Sequence, residues 1–228
     1  MNRFARAILF SATFLTVTLA VATRALPPPQ QAAGKELIPL ASWQKEFKII
    51  HGSDEGKLVP LTSQPDSADG KRWRLVFGDY ASLLLRSDPS GGVMMERLDL
   101  LERHSYVVYE PALPVLPGDI HSPSPIRRQT AYKMYSIETG KLRRSGRVTH
   151  AIKQITKSFF ETPAGRIEGY YVEIDHRMDM EYYSKLHITL GLGCRLDEGP
   201  VFGTGEYTLT RLGVFTETKA VAAGLAVR

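Results

Sequence analysis

From Tyr170 onward the chain alternates strictly. Tyr170, Val172, Ile174, His176, Met178 and Met180 take the even positions, and Tyr171, Glu173, Asp175, Arg177, Asp179 and Glu181 take the odd ones. A helix, whose faces recur every 3.6 residues, cannot satisfy a period of two over such a length; a β-strand can. One face is apolar and the other charged, as in a sheet with one side on a core or cavity and one side in water. Leu186, Ile188, Leu190, Leu192 and Cys194 repeat the device opposite Lys185, His187, Thr189 and Arg195. A charge placed at Ile174 or Ile188 is therefore expected to unfold the domain, whereas the charge at Asp175 is harmless.

The rest of the chain carries shorter versions of the same pattern. Candidate strands are Glu46–His51, Arg72–Phe77, Tyr80–Leu85, Ser105–Tyr109, Ala131–Ile137, Arg147–Phe160, Tyr170–Met180, Lys185–Arg195 and Tyr207–Phe215. Turn-forming clusters separate them: Gly78-Asp79, Asp88-Pro89-Ser90-Gly91-Gly92, Glu138-Thr139-Gly140-Lys141 and Pro163-Ala164-Gly165. Beyond Asn2 there is no asparagine, so glycine, aspartate and proline make the turns. The spacing predicts a mainly β fold, a curved antiparallel meander forming a half-barrel-like sheet with at most one or two short helices. Val93–Arg103 is ambiguous, since Met94, Leu98 and Leu101 fit one helical face; a short helix is expected there or near Trp43. Residues 45–216 are read as one β-rich domain, and the alanine-rich stretch 217–228 as a loose tail.

At the other end, Arg3 and Arg6 precede Ala7–Ala22, sixteen residues without a charge that close on Ala20-Val21-Ala22. This is the three-part pattern of a cleavable secretory signal peptide over residues 1–22. The run falls short of the roughly twenty residues of a membrane-spanning helix. An uncleaved anchor is the alternative. Residues 23–44, with Pro27-Pro28-Pro29 near their start, read as a Pro/Ala/Gln-rich linker. The expected location is periplasmic or secreted. The single cysteine, Cys194, excludes an internal disulfide and a lipid-modified N-terminus. No later segment is long and apolar enough for a transmembrane helix.

The net charge is +5, and its placement says more than its size. Arg127, Arg128, Lys133, Lys141, Arg143, Arg144, Arg147, Lys153 and Lys157 face only Glu138 within that span, while Glu173, Asp175, Asp179 and Glu181 follow further on. Two adjacent, mutually neutralising solvated strand faces explain this run; a basic patch for phospholipid headgroups or an acidic glycolipid is the functional alternative. Nucleic acid is not an expected partner of an exported chain lacking interleaved aromatic motifs.

No complete catalytic or metal motif is present, and no cofactor is implied. Gly191-Leu192-Gly193 resembles the start of a dinucleotide loop, but Leu196 stands where the third glycine belongs and no helix follows. A β-bulge or a close strand crossing is expected instead. Ser42 and Lys45 match S-x-x-K without the companion elements of penicillin-recognising enzymes. The histidines His51, His104, His121, His150, His176 and His187 show no ligand spacing. His176, on the apolar face, is read as a neutral core histidine with a hydrogen-bond partner, or as a polar contact inside a cavity. Glu173, Asp175, Asp179 and Glu181 look outward and are poor general acids. Cys194 continues the apolar face as a buried thiol. Candidate ligand contacts are His176, Tyr170 and Met178, with Arg143 and Arg147 for an anionic group.

Several segments in the last half also suggest kinship. They are ALPVLPGDIHSPSP (112–125), KMYSIETGK (133–141), TPAGRIEGYYVEI (162–174), YYSKLHITLGLGCRLDEG (182–199) and GEYTLTRLGVF (205–215). In this order the chain resembles a group of bacterial exported domains of unknown function with a curved, half-open antiparallel sheet, distantly similar to periplasmic lipoprotein-carrier (LolA-like) proteins. The resemblance implies architecture and compartment; it brings no catalytic residue. The functional expectation is an exported envelope protein that binds a hydrophobic or amphipathic ligand, such as a lipid or glycolipid, without catalysis. Alternatives are an accessory protein holding another envelope protein, or a hydrolase in which some of His150, His176, Asp175 and Cys194 converge.

Overall fold

The structure is a computed structural model that describes residues 32–52, 54–162, 165–179, 185–211 and 214–225. The signal segment 1–22, the first part of the linker, the Pro163-Ala164 turn and the Met180-Glu181 end of the alternating strand lie outside the described residues. The strands are β1 (Trp43–His51), β2 (Leu58–Pro65), β3 (Arg72–Phe77), β4 (Ala81–Ser87), β5 (Val93–Leu100), β6 (Ser105–Leu116), β7 (Ile126–Ser136), β8 (Leu142–Thr162), β9 (Gly165–Asp179), β10 (Lys185–Arg195), β11 (Gly199–Arg211) and β12 (Val214–Leu225). Each pairs antiparallel with its successor, and β12 pairs with β1, so the meander closes into a barrel. Helical structure among the described residues is limited to α1 (Gly34–Leu37) and a 3₁₀ turn, Leu101–Arg103. The mainly β, curved antiparallel meander expected from the sequence is the observed fold.

The long alternation does what its period dictates. Val172, Ile174, His176 and Met178 of β9 are buried, and Leu186, Ile188, Leu190, Leu192 and Cys194 of β10 lie opposite Met178, His176, Ile174, Val172 and Tyr170 on the same face. With Phe47, Leu85, Val107, Leu113, Tyr132 and Ile152 these side chains form one core inside the barrel. Outside are charged pairs: Arg74 with Asp66 and Asp99, Arg72 and Arg86 with Glu96, and Lys153 with Glu173. Where the side chains are described, apolar inside and charged outside is the reverse of the apolar outer band of a transmembrane barrel.

Three strands escape the sequence pattern, each for a physical reason. In β5 the register shifts between Met95 and Arg97, so Val93 and Met95 point inward before the bulge and Leu98 after it. That parity switch mimics a helical face, and Val93–Arg103 is a strand plus the 3₁₀ turn. β2 buries Val59, Leu61 and Ser63 around Pro60, too weak an alternation to stand out. The stretch read as a loose tail, 217–228, supplies most of β12, which is held by pairing with β1 and β11.

The linker reading also stops short. Ala32, Leu37 and Ile38 are buried in the core rather than extended in solvent. The short segment 32–38 caps one end of the barrel through backbone bonds: Gly34 N to Pro117 O (3.0 Å), Lys35 N to Gly91 O (3.1 Å), Ile120 N to Ala32 O (3.1 Å) and Asp197 N to Glu36 O (2.6 Å). A Cβ on Gly34 would sit 2.5 Å from Pro117 O, so only glycine permits that approach. Leu37 and Ile38 are buried at that end in the same core as Val93, Leu116 and Cys194.

Candidate functional site

Among the described residues the wall splits between β6 and β7. β6 and β7 pair from Ser105↔Ser136 to Glu110↔Ala131 and then part. Beyond that point 113–116 of β6 pair only with β5, and 126–130 of β7 pair only with β8. Pro111 and Pro114 contribute to the parting, because neither carries an N–H to donate across the gap. Thr130 Oγ1 donates to Pro111 O (3.1 Å) and closes the inner end of the split. The result is a cleft of about 430 Å³ between the strands. Met94, Ala112, Leu113, Pro114, Leu116 and Ile126 make its walls apolar, with Arg128, Gln129 and Asp88 at the rim. The Asp88 carboxylate is already committed to its own turn, accepting from Ser90 N, Ser90 Oγ and Gly92 N. Arg128 is exposed and has no ion-pair partner among the described residues.

Polar side chains lead from this cleft into the core. Cross-strand neighbours share a face, and the register runs Ile188–His176–His150–Arg128 across β10, β9, β8 and β7. Arg128, at the cleft, thus stands beside His150, and His150 beside His176. The two imidazoles meet Nδ1 to Nδ1 at 3.1 Å, and Tyr109 OH lies 3.3 Å from His176 Nε2. Both histidines are almost completely buried, 2 % and 3 % exposed. Burial disfavours their charged forms and pushes the pKa of His150 down to about 4 and that of His176 down to about 3, with His150 also opposing charge on His176. Asp175, on the outer face of the same wall, and the Pro114 carbonyl beside His150 offset part of this. Burial pushes the Tyr109 phenol up, so it stays protonated.

Two proton arrangements satisfy these contacts: Tyr109 O–H donates to His176 Nε2 and His176 Nδ1–H to His150 Nδ1, or His150 Nδ1–H donates to His176 Nδ1 and His176 Nε2–H to Tyr109 O. His150 Nε2 has no partner at ordinary hydrogen-bond geometry; the Pro114 backbone carbonyl, in the cleft wall, is the acceptor beside the His150 ring.

The candidate ligand contacts named from the sequence are not brought together. His176 and Met178 are sealed in the core. Tyr170 is half-buried on the same face toward the capped end, its ring edge-on to His121 at 6.4 Å. Arg147 is exposed on the outer face of β8. Arg143 lies at the opposite end of the barrel, donating to Arg103 O (3.0 Å), Ser105 Oγ (2.6 Å) and Ser136 Oγ (3.2 Å). Of the residues a hydrolase would gather, only His150 and His176 touch. Asp175 is on the outer face, bonded to His187 and Arg177. Cys194 is buried with its thiol pushed up to about 12. Lys45 points into the barrel and donates to Pro200 O (2.9 Å), while Ser42 precedes β1 and is exposed, so S-x-x-K carries no activated serine here. Gly193 adjoins a register shift, as a bulge reading requires. Among the described residues no three His, Cys, Asp or Glu side chains are placed to hold a metal ion.

The cleft itself was not legible in the sequence. The signal available was the proline spacing 111, 114, 117, which marks a strand that cannot be paired along both edges. No family model, no curated protein and no solved structure matches this chain.

Proposed function

We propose that this chain is an exported, non-enzymatic binding protein, and that the split between β6 and β7 holds an amphipathic ligand. The observation that carries the reading is the cleft: apolar walls, a volume within the roughly 300–1,000 Å³ of small-molecule sites, and a single unpaired cation, Arg128, at its rim. An acyl or other apolar body fits against Met94, Ala112, Pro114 and Ile126, the partly exposed members of the lining, and an anionic head meets Arg128. The core beneath is packed, so the ligand sits in the wall rather than in the lumen. The leader-like segment and the apolar-in, charged-out wall support an aqueous envelope compartment.

Native mass spectrometry of the protein purified from its own envelope tests this directly, with binding of a dansylated fatty acid as the defined probe. A retained small amphiphile is expected, and Ala112→Trp, which fills the cleft, and Arg128→Gln are expected to weaken probe binding by about tenfold or more. No retained molecule together with no saturable probe binding overturns the reading. A retained protein instead of a small molecule favours the accessory role, in which the two unpaired strand stretches flanking the split would take an extended segment of a partner.

A further inference from the structure

The opposite end of the barrel holds a second, smaller hollow of about 190 Å³, lined by Arg103, Ser105, Met134, Arg143 and Arg144. Two of these guanidinium side chains, Arg143 and Arg144, are neighbours in sequence on β8, and the lining holds no carboxylate. None of the ion pairs among the described residues uses Arg143 or Arg144. Glu138, the acid of the adjoining hairpin, is turned toward His104 at 3.4 Å.

Arg143 is nevertheless held in place. Its three acceptors, Arg103 O, Ser105 Oγ and Ser136 Oγ, are all uncharged and come from three separate segments. They fix the plane of the guanidinium without neutralising it. That is the arrangement an anion site needs: orientation settled in advance and charge left over. Arginine suits a tetrahedral oxyanion because its planar fork offers two parallel N–H donors. Met134 is the one apolar side chain of the lining, and the small volume suits a compact charged group.

We propose that this hollow is an oxyanion site for one phosphate-type group, held by Arg143 and Arg144 with Arg103 and Ser105 at its edge. It lies at the far end of the barrel from the β6–β7 cleft and stands independently of the ligand proposed there. Free phosphate and the monoester head of an anionic lipid present the same chemistry, and the test separates them.

Titration calorimetry of the purified chain with inorganic phosphate at low ionic strength reads the site. Saturable binding of one equivalent is expected. Arg144→Gln should weaken it by about tenfold or more, because one charge-assisted fork is lost. Arg143→Gln should abolish it; because that side chain also ties three segments together, Arg144→Gln, checked by circular dichroism for an unchanged fold, is the decisive variant. Arg127→Gln removes an equal charge from the outer face elsewhere and is expected to leave phosphate binding unchanged. Ala112→Trp, in the other cleft, should also leave it unchanged. Co-sedimentation with phosphatidic acid vesicles, lost in Arg144→Gln, identifies a lipid headgroup; phosphate binding without co-sedimentation identifies a free anion. Absence of saturable phosphate binding and of co-sedimentation overturns the proposal, as does an equal loss in Arg127→Gln and Arg144→Gln.

Discussion

The buried histidine pair should make the barrel acid-sensitive, and by an amount that can be worked out. In the folded chain His150 and His176 ionise at about 4 and about 3, below the ordinary value of 6.5 that applies once unfolded. The unfolded chain therefore takes up protons first as pH falls. The stability present above pH 6.5 is lost on the way down, until each folded histidine itself ionises. Each contributes a slope of about 1.4 kcal/mol per pH unit in that window, so the pair removes roughly 5 kcal/mol by pH 4.5. That is comparable to the whole stability of an ordinary domain, about 5–15 kcal/mol. The groups facing the pair do not reverse the sign: Tyr109 stays neutral, and Asp175 acts from the outer face and only reduces the shift. The informative variant is His176→Gln. Its amide oxygen can accept from Tyr109 and its amide N–H can donate to His150, so the hydrogen bonds survive while one titrating group goes. Urea unfolding followed by circular dichroism from pH 8 to pH 4.5 should show the wild-type slope about halved in the variant. A wild-type stability that is flat across this window, or an identical slope in His176→Gln, refutes the reasoning.

Other consequences are simpler to test. Ile174→Asp, at a position 3 % exposed in the core, should cost more than about 4 kcal/mol or prevent folding, while Gln129→Glu on the outer end of β7 should stay within about 0.5 kcal/mol; urea midpoints decide. Gly169→Ala would place a Cβ 2.4 Å from Cys194 O, a clash with neighbouring backbone that should lower stability by about 1–3 kcal/mol, read as a lowered thermal midpoint. Cys194, buried and with its thiol pushed up to about 12, should resist Ellman's reagent in the native barrel and react fully in urea; fast native reaction would contradict its burial.

The apolar face of 170–195 was legible because alternation reports a backbone with one dry side, and that information is local. The outward acids Glu173 and Asp175 were legible for the same reason, and both are engaged by neighbours on the outer wall. β5 was not, because a bulge changes the parity midway and only the partner strand shows where. The proline-rich stretch 111–125 carries no alternation that marks a strand in one dimension; its use as one lip of a cleft depends on Ile126–Thr130 returning alongside it without pairing.

By itself the sequence determined that the chain must form a curved antiparallel sheet, and which side chains of its longest strands face inward, since a two-residue period leaves the backbone no other choice. Tertiary structure alone decided that β12 meets β1, that residues 32–38 cap the barrel, that His150 meets His176, and that Arg143 and Arg144 come to share one hollow with Arg103. Those are contacts between segments far apart along the chain, settled by register and by which surfaces remain to be buried, and no local pattern encodes them.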